Sequence, residues 1–274
     1  MAESIEAPKT NLLEYIGAEE TNLLVSINLC RRDMDAFPKL DGLFQAPLQK
    51  IDLKVKDRKN LSDTERHRMT VLALYLYVHY HLYSTMTNIL RCHLSDAFSQ
   101  TRKAIDATLT VCRLVRQPET LNQYLERHGS YLNIKRSIEK ANMETETAYP
   151  DTEGVINFHD ICSQYGSHAD ASSFVHRAEI TEPNNLGKSM FRLLMFQKPD
   201  SDLEFRYYIV QLIFIYAQML WLMRDFVGGL AEKFDNDDWS KAISGFGKEV
   251  EKEMHEIEQE ISTRDAAAKK AADS

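Results

Sequence analysis

The fold class this sequence predicts is all-α, a multi-helix bundle, and three observations predict it. Glycine and proline are sparse, ten and seven in 274 residues, and neither occurs between Gln49 and Gln117. Leu, Ala, Met, Glu and Arg, all strong helix formers, are plentiful, whereas β-branched runs are short. Apolar residues also recur at helical spacing, as in Leu72, Leu76, Tyr80 and Tyr83. A composition of 43% hydrophobic and 27% charged residues is that of an ordinary globular chain, long enough to bury a sizeable core.

The elements follow in order. Residues 1–9 read as a flexible tail, residues 10–265 as a single helical domain and residues 266–274 as a second tail. Asn11 to about Arg32 carries Leu12, Leu13, Ile16, Leu23, Leu24, Ile27 and Leu29, a helix interrupted near Gly17. Phe37 to Pro47 holds Pro38, Gly42 and Pro47 and reads as a loop. Ser62 and Glu65 stand at capping-box spacing and open a helix that runs to about Leu90. Ser95 and Asp96 are suited to cap a new helix, so the glycine-free stretch divides near Cys92–Leu94 and its second part ends before Pro118.

Glu119 to Asn142 reads as one helix with a kink at Gly129. After the Tyr149-Pro150-Asp151 turn, Asp151 or Thr152 is placed to cap a helix that ends near Gly166. Residues 169–200 predict a long loop or a small β-hairpin, with Ser172–Val175 and Phe191–Phe196 flanking Pro183 and Gly187. Ser201 to about Leu230 is the most hydrophobic helix, and Asp238 to about Arg264 is a charged one.

Tyr207 to Met223 is apolar enough to raise the question of a membrane span. Glu204, Gln211, Gln218 and Asp225 recur every seven residues and draw a polar stripe along that helix, which suits a bundle helix better than a lipid-facing one. No membrane partner is therefore expected. Met1 to Asn11 has no apolar segment behind a basic start, and Cys30, Cys92, Cys112 and Cys162 are scattered without a CxxC pair. The expectation is a cytoplasmic protein with reduced thiols. A net charge of −8 argues against general DNA binding and leaves room only for a local basic patch.

Polar residues on two helices carry the candidate chemistry. On the helix after Ser95, Phe98, Ile105, Leu109 and Cys112 share one face, with Arg102 and Asp106 four residues apart at its border. On the later helix, Val155, Phe158, Cys162 and Tyr165 form an apolar face. His168 leaves its end just after Gly166, where a cation is favoured, and is a candidate acid or base. The candidate site residues are His168, Arg102, Asp106 and Ser163, and the competing reading is a buried structural network.

His159-Asp160 is a dipeptide that metal phosphohydrolases use as paired ligands, but no set of partner ligands accompanies it. His79 and His81 are two apart and point to different helix faces. No HExxH, Walker loop, GxSxG or GxGxxG occurs, so no metal site and no cofactor are expected.

Ala97, Arg102, Asp106 and Pro118, followed by Ser163, Tyr165, Gly166 and His168, resemble the motifs of a group of uncharacterised all-α prokaryotic proteins related to the HEPN (higher-eukaryote and prokaryote nucleotide-binding) helical fold. The resemblance covers about residues 65–230. It implies that Arg102, Asp106, Ser163 and His168 lie near one another. It also implies an RNA or nucleotide ligand, in a non-catalytic or weakly enzymatic module of a stress or defence system. The ribonuclease members place a His four to six residues after an Arg. This chain has no such pair, and Asp106 stands where Glu is more usual. A metal-independent ribonuclease using His168 and Arg102 is thus the second expectation. The third is a structural partner protein, a homodimer formed by apolar helix faces.

Overall fold

The computed structural model describes residues 12–51, 60–127, 133–145, 148–166, 178–180, 191–193, 196, 201–230 and 234–272. Within them lie α1 (Leu12–Leu29), α2 (Ala36–Leu48), α3 (Asp63–Leu90), α4 (Leu94–Arg116), α5 (Leu121–Leu125), α6 (Ile134–Glu144), α7 (Glu153–Gly166), α8 (Asp202–Leu230) and α9 (Asn236–Ala272). Two three-residue strands, β1 (Ala178–Ile180) and β2 (Phe191–Leu193), pair antiparallel with Glu179 opposite Arg192. The chain is an all-α bundle with this small hairpin in the segment where the sequence predicts a loop or hairpin.

The ends of α3 follow local chemistry. Ser62 Oγ accepts from the Glu65 N–H while the Glu65 carboxylate accepts from the Ser62 N–H, a complete capping box. At the other end Cys92 adopts a positive φ of 63°, the His93 N–H returns to the Asn88 carbonyl and the Cys92 N–H to Ile89. This is a Schellman closure with cysteine in the place glycine usually takes. It divides the glycine-free stretch where expected. The N-cap position is taken by neither Ser95 nor Asp96, because α4 begins at Leu94, with His93 at the N-cap position and no side-chain cap.

Four expectations are corrected. The first helix is continuous through Gly17, where a helical glycine meets only open space. Residues 37–47 are helical, not a loop. Pro38 falls in the first turn of α2, where its missing N–H has no partner to lose. Pro47 leaves the Leu43 carbonyl without its usual N–H, and Trp239 Nε1 of α9 donates to that oxygen at 3.0 Å. Residues 119–142 are divided into a one-turn 3-10 helix (Pro118–Thr120), α5 and α6; Gly129 lies outside the described residues. Finally, α9 continues past Arg264 to Ala272, through Ala and Lys residues that favour helix.

The core is organised around α4, which packs on α3, α6, α7 and α8; α8 in turn packs on α9 and α2. Phe98, fully buried on α4, stacks on Tyr165 of α7 at 5.5 Å and meets Tyr208 of α8 edge-on at 5.8 Å. Behind it Thr85 of α3 shares hydrogen bonds with Thr101 of α4 at 3.2 Å and with the Tyr216 hydroxyl of α8 at 2.9 Å. Burial pushes the Tyr216 phenol well above its ordinary pKa, so it stays neutral in this node.

The α8 helix is long and apolar enough to cross a membrane by length and composition, but it packs as a core helix between α4 and α9. Its residues Phe205, Ile209, Leu212, Ile213, Tyr216 and Met219 are fully buried. Its polar stripe is only partly exposed: Glu204, Gln211 and Gln218 are half-buried, and Asp225 is exposed. All four cysteines are free thiols.

One buried ion pair fastens the 3-10 turn that precedes α2 (Asp33–Asp35) to α8. Asp33, wholly buried, accepts two hydrogen bonds from Arg206, from Nε and Nη2, each at 2.9 Å. The guanidinium itself is partly exposed. Removing the arginine therefore strands a dry carboxylate, whereas removing the carboxylate leaves a cation that water reaches. Arg206→Leu is expected to cost about 3–5 kcal/mol, and Asp33→Ala clearly less. Urea unfolding of the two variants at neutral pH checks this, and equal losses would contradict it.

Candidate functional site

A cleft of about 1010 Å³ opens between α3, α4, α5, α6 and α7. Each wall follows from helical periodicity. Ala104, Ile105, Thr108 and Leu109 of α4 are buried, which turns Arg102, Lys103 and Asp106 toward the seam with its neighbours. Ile134 and Ile138 of α6 are buried and its first turn, Ile134 to Arg136, lines the cleft. The positive end of that helix dipole thus joins the cleft. Val155, Phe158 and Cys162 bury α7 as the apolar pattern predicts, and His159 and Asp160 emerge on its cleft side.

His159 is the centre of the arrangement. It is only 7% exposed. Arg102 Nε donates to its Nε2 at 3.4 Å, and Asp106 Oδ1 lies 3.3 Å from the same nitrogen. Ser163 Oγ gives its proton to the His159 carbonyl at 2.8 Å and lies 3.5 Å from Nδ1. Arg102 and Ser163 fit the neutral tautomer in which Nδ1–H faces the Ser163 oxygen and the Nε2 lone pair accepts from Arg102, and Asp106 fits the other. One nitrogen cannot accept from Arg102 and donate to Asp106 at once.

Beside it, Lys135 Nζ reaches both oxygens of Asp160 at 2.8 and 2.9 Å, and Glu139 at 2.9 Å. Burial works against the ammonium charge, but the Asp160 and Glu139 carboxylates outweigh it and hold Lys135 above its ordinary pKa. Lys103 and Arg136 are exposed on the same walls. No carboxylate among the described residues forms a salt bridge with either. Tyr77 of α3 and Tyr124 of α5 supply aromatic surface. Burial, with the Asp106 carboxylate second, pushes the Tyr77 phenol upward.

Of the four residues expected to meet, Arg102, Asp106 and Ser163 do, and His159 is what they meet around. His168 lies outside the described residues. His159, Lys135 and Arg136 were not singled out as site residues. The signal for His159 was the His159-Asp160 dipeptide beside Phe158, four residues before Ser163 and hence on the same side of α7. His79 and His81 do face apart: His79 bonds Asp41 of the α2 side at 2.7 Å, and His81 lies near Gln100 and Lys103 of α4. Among the described residues no three His, Cys, Asp or Glu side chains gather as a metal would require.

Comparisons with protein-family models, with curated proteins and with solved structures find no match for this chain.

The contact between α4 and α7 through Arg102 and His159 is testable by stability alone. A double-mutant cycle with Arg102→Met and His159→Phe is expected to show a coupling of about 0.5–1.5 kcal/mol in urea unfolding. Strict additivity would contradict the pairing.

Proposed function

We propose that this chain is a HEPN-like module that binds a phosphate-bearing nucleotide ligand, a short single-stranded RNA segment, in the cleft around His159, and that it acts by binding rather than by turnover. The observation that carries this reading is a local reversal of charge. On a chain of net charge −8, Arg102, Lys103, Lys135 and Arg136 converge on one cleft, against the three carboxylates of Asp106, Glu139 and Asp160. Two of those carboxylates are already engaged by Lys135, which leaves Lys103, Arg136 and the positive end of α6 to meet phosphates. Tyr77 and Tyr124 add faces on which bases stack.

Metal-independent cleavage of RNA needs one group to take the 2′-hydroxyl proton and another to protonate the leaving oxygen. Among the described residues of the cleft, His159 is the single imidazole, it is nearly buried, and Ser163 spends its proton on a backbone carbonyl. That supports binding as the first reading. The placement of Asp106 and Arg102 on either side of Nε2 favours RNA cleavage as the second, with His159 moving the proton and Arg102 steadying phosphate charge.

Fluorescence anisotropy with a labelled oligoribonucleotide tests the proposal. Lys103→Glu and Arg136→Glu are each expected to weaken binding about tenfold and to reduce the slope of log affinity against log salt by about one. Unchanged affinity in both variants would overturn it. RNA degradation by pure wild-type protein, abolished in a folded His159→Ala variant that still binds, would replace the first reading with the second.

A further inference from the structure

From Met69 to Asn88, α3 carries no Asp, Glu, Lys or Arg, on a chain with 41 acidic and 33 basic residues. Its inner side is core: Val71, Tyr75, Val78, Leu82 and Ile89 are wholly buried. Its outer side is left in solvent without the charges that ordinarily cover such a face. Three tyrosines stand there, Tyr77 at 43% exposed, Tyr80 at 64% and Tyr83 at 43%. They are three residues apart, so neighbouring positions lie about 5–6 Å from one another along the helix surface. Tyr77 is a wall of the cleft, with Thr70, Ala73 and Leu74 before it on α3. Tyr80 and Tyr83 continue that wall outward, past its last α3 residue.

The rings are held by their neighbours. Tyr77 and Tyr80 pack at steep angles against the buried His81 ring, at 4.2 and 5.2 Å. Tyr83 meets Phe37 of α2 at 5.3 Å and His79 at 5.5 Å. An exposed ring fixed in this way loses little freedom when another ring stacks on it. The charge pattern also suits a polyanion. Asp41 of α2, a carboxylate beside Tyr83, is already bonded by His79 and by Gln45, each at 2.7 Å.

We infer that Tyr80 and Tyr83 extend the Tyr77 wall as a stacking platform, on which the bases of a single-stranded RNA lie as the strand leaves the cleft. The inference rests on the reading of that cleft as an RNA site and adds to it a direction, toward the C-terminal end of α3. Stacking needs only the π-face that every base has, so the platform is tolerant of sequence. With no cation on this stretch, it contributes affinity without counterion release. A seam between two copies of the chain would favour aliphatic side chains at these positions. Tyrosine instead keeps a hydroxyl in water while its ring is open to a base.

Fluorescence anisotropy with labelled oligoadenylates of about three and about eight nucleotides tests the platform. Wild-type protein is expected to bind the longer strand more tightly. Tyr80→Ala is expected to weaken the longer strand about tenfold and to leave the shorter one as before. The slope of log affinity against log salt is expected to stay unchanged, in contrast to Lys103→Glu. Tyr80→Phe, which keeps the ring, is expected to retain the affinity. Equal affinity of wild type and Tyr80→Ala for the longer strand would overturn the platform and leave the cleft standing. So would sedimentation showing a two-chain mass that Tyr80→Ala returns to one chain, which would make this face an interface between copies. Failure of wild-type protein to bind either strand would overturn both readings.

Discussion

The structure depends on burying α4 although many of its residues are polar. A helix packed by α3, α6, α7 and α8 needs an apolar surface on nearly every side, and α4 supplies it with nine buried apolar residues and three buried threonines. Thr101 donates to the Ala97 carbonyl at 2.9 Å, Thr108 to Ala104 at 3.0 Å and Thr110 to Asp106 at 2.7 Å. Each hydroxyl proton is returned to the helix's own backbone, so the side chain presents mainly its methyl group to the neighbours. Thr101 alone also looks outward, to Thr85, and through it the node reaches Tyr216. Polar satisfaction inside the helix is what allows a sequence of modest hydrophobicity to occupy the centre.

That solution leaves little room for charge, and three of the six charged residues of α4 gather at one seam. Arg102, Lys103 and Asp106 all line the space bounded by α6 and α7. Their partners come from helices oriented by short apolar faces, Ile134 and Ile138 on α6 and Val155, Phe158 and Cys162 on α7. The cleft is therefore a consequence of the packing of α4. The centre is filled by Phe98 and the threonine node, and the polar remainder is gathered where the surrounding helices do not close.

Much of this was legible in residue order. The capping box at Ser62 and Glu65, the break at Cys92, and the apolar faces of α4 and α7 are local patterns and appear as read. So does the proximity of Arg102, Asp106 and Ser163. The misreadings at Pro47 and at His159 share a cause: the deciding partner is distant in sequence. Pro47 looks like a loop marker until Trp239, on the last helix, supplies the donor that the Leu43 carbonyl lacks. His159 looks like half of a metal motif until Arg102 and Asp106 arrive from α4 at 3.4 and 3.3 Å. Lys135 and Arg136 have no motif at all, since a basic patch assembled from several helices has no spacing along the chain.

The central claim is that nucleic acid meets this protein in the cleft around His159 and nowhere on its acidic remainder. Photo-crosslinking with an oligoribonucleotide containing 4-thiouridine, followed by peptide mapping, tests it most directly. The account predicts crosslinks on the peptides bearing Tyr77, Lys103, Lys135 to Arg136, and His159, suppressed by excess unlabelled RNA and by raised salt. Crosslinks confined to α9 or α2, or none at saturating RNA, would contradict it.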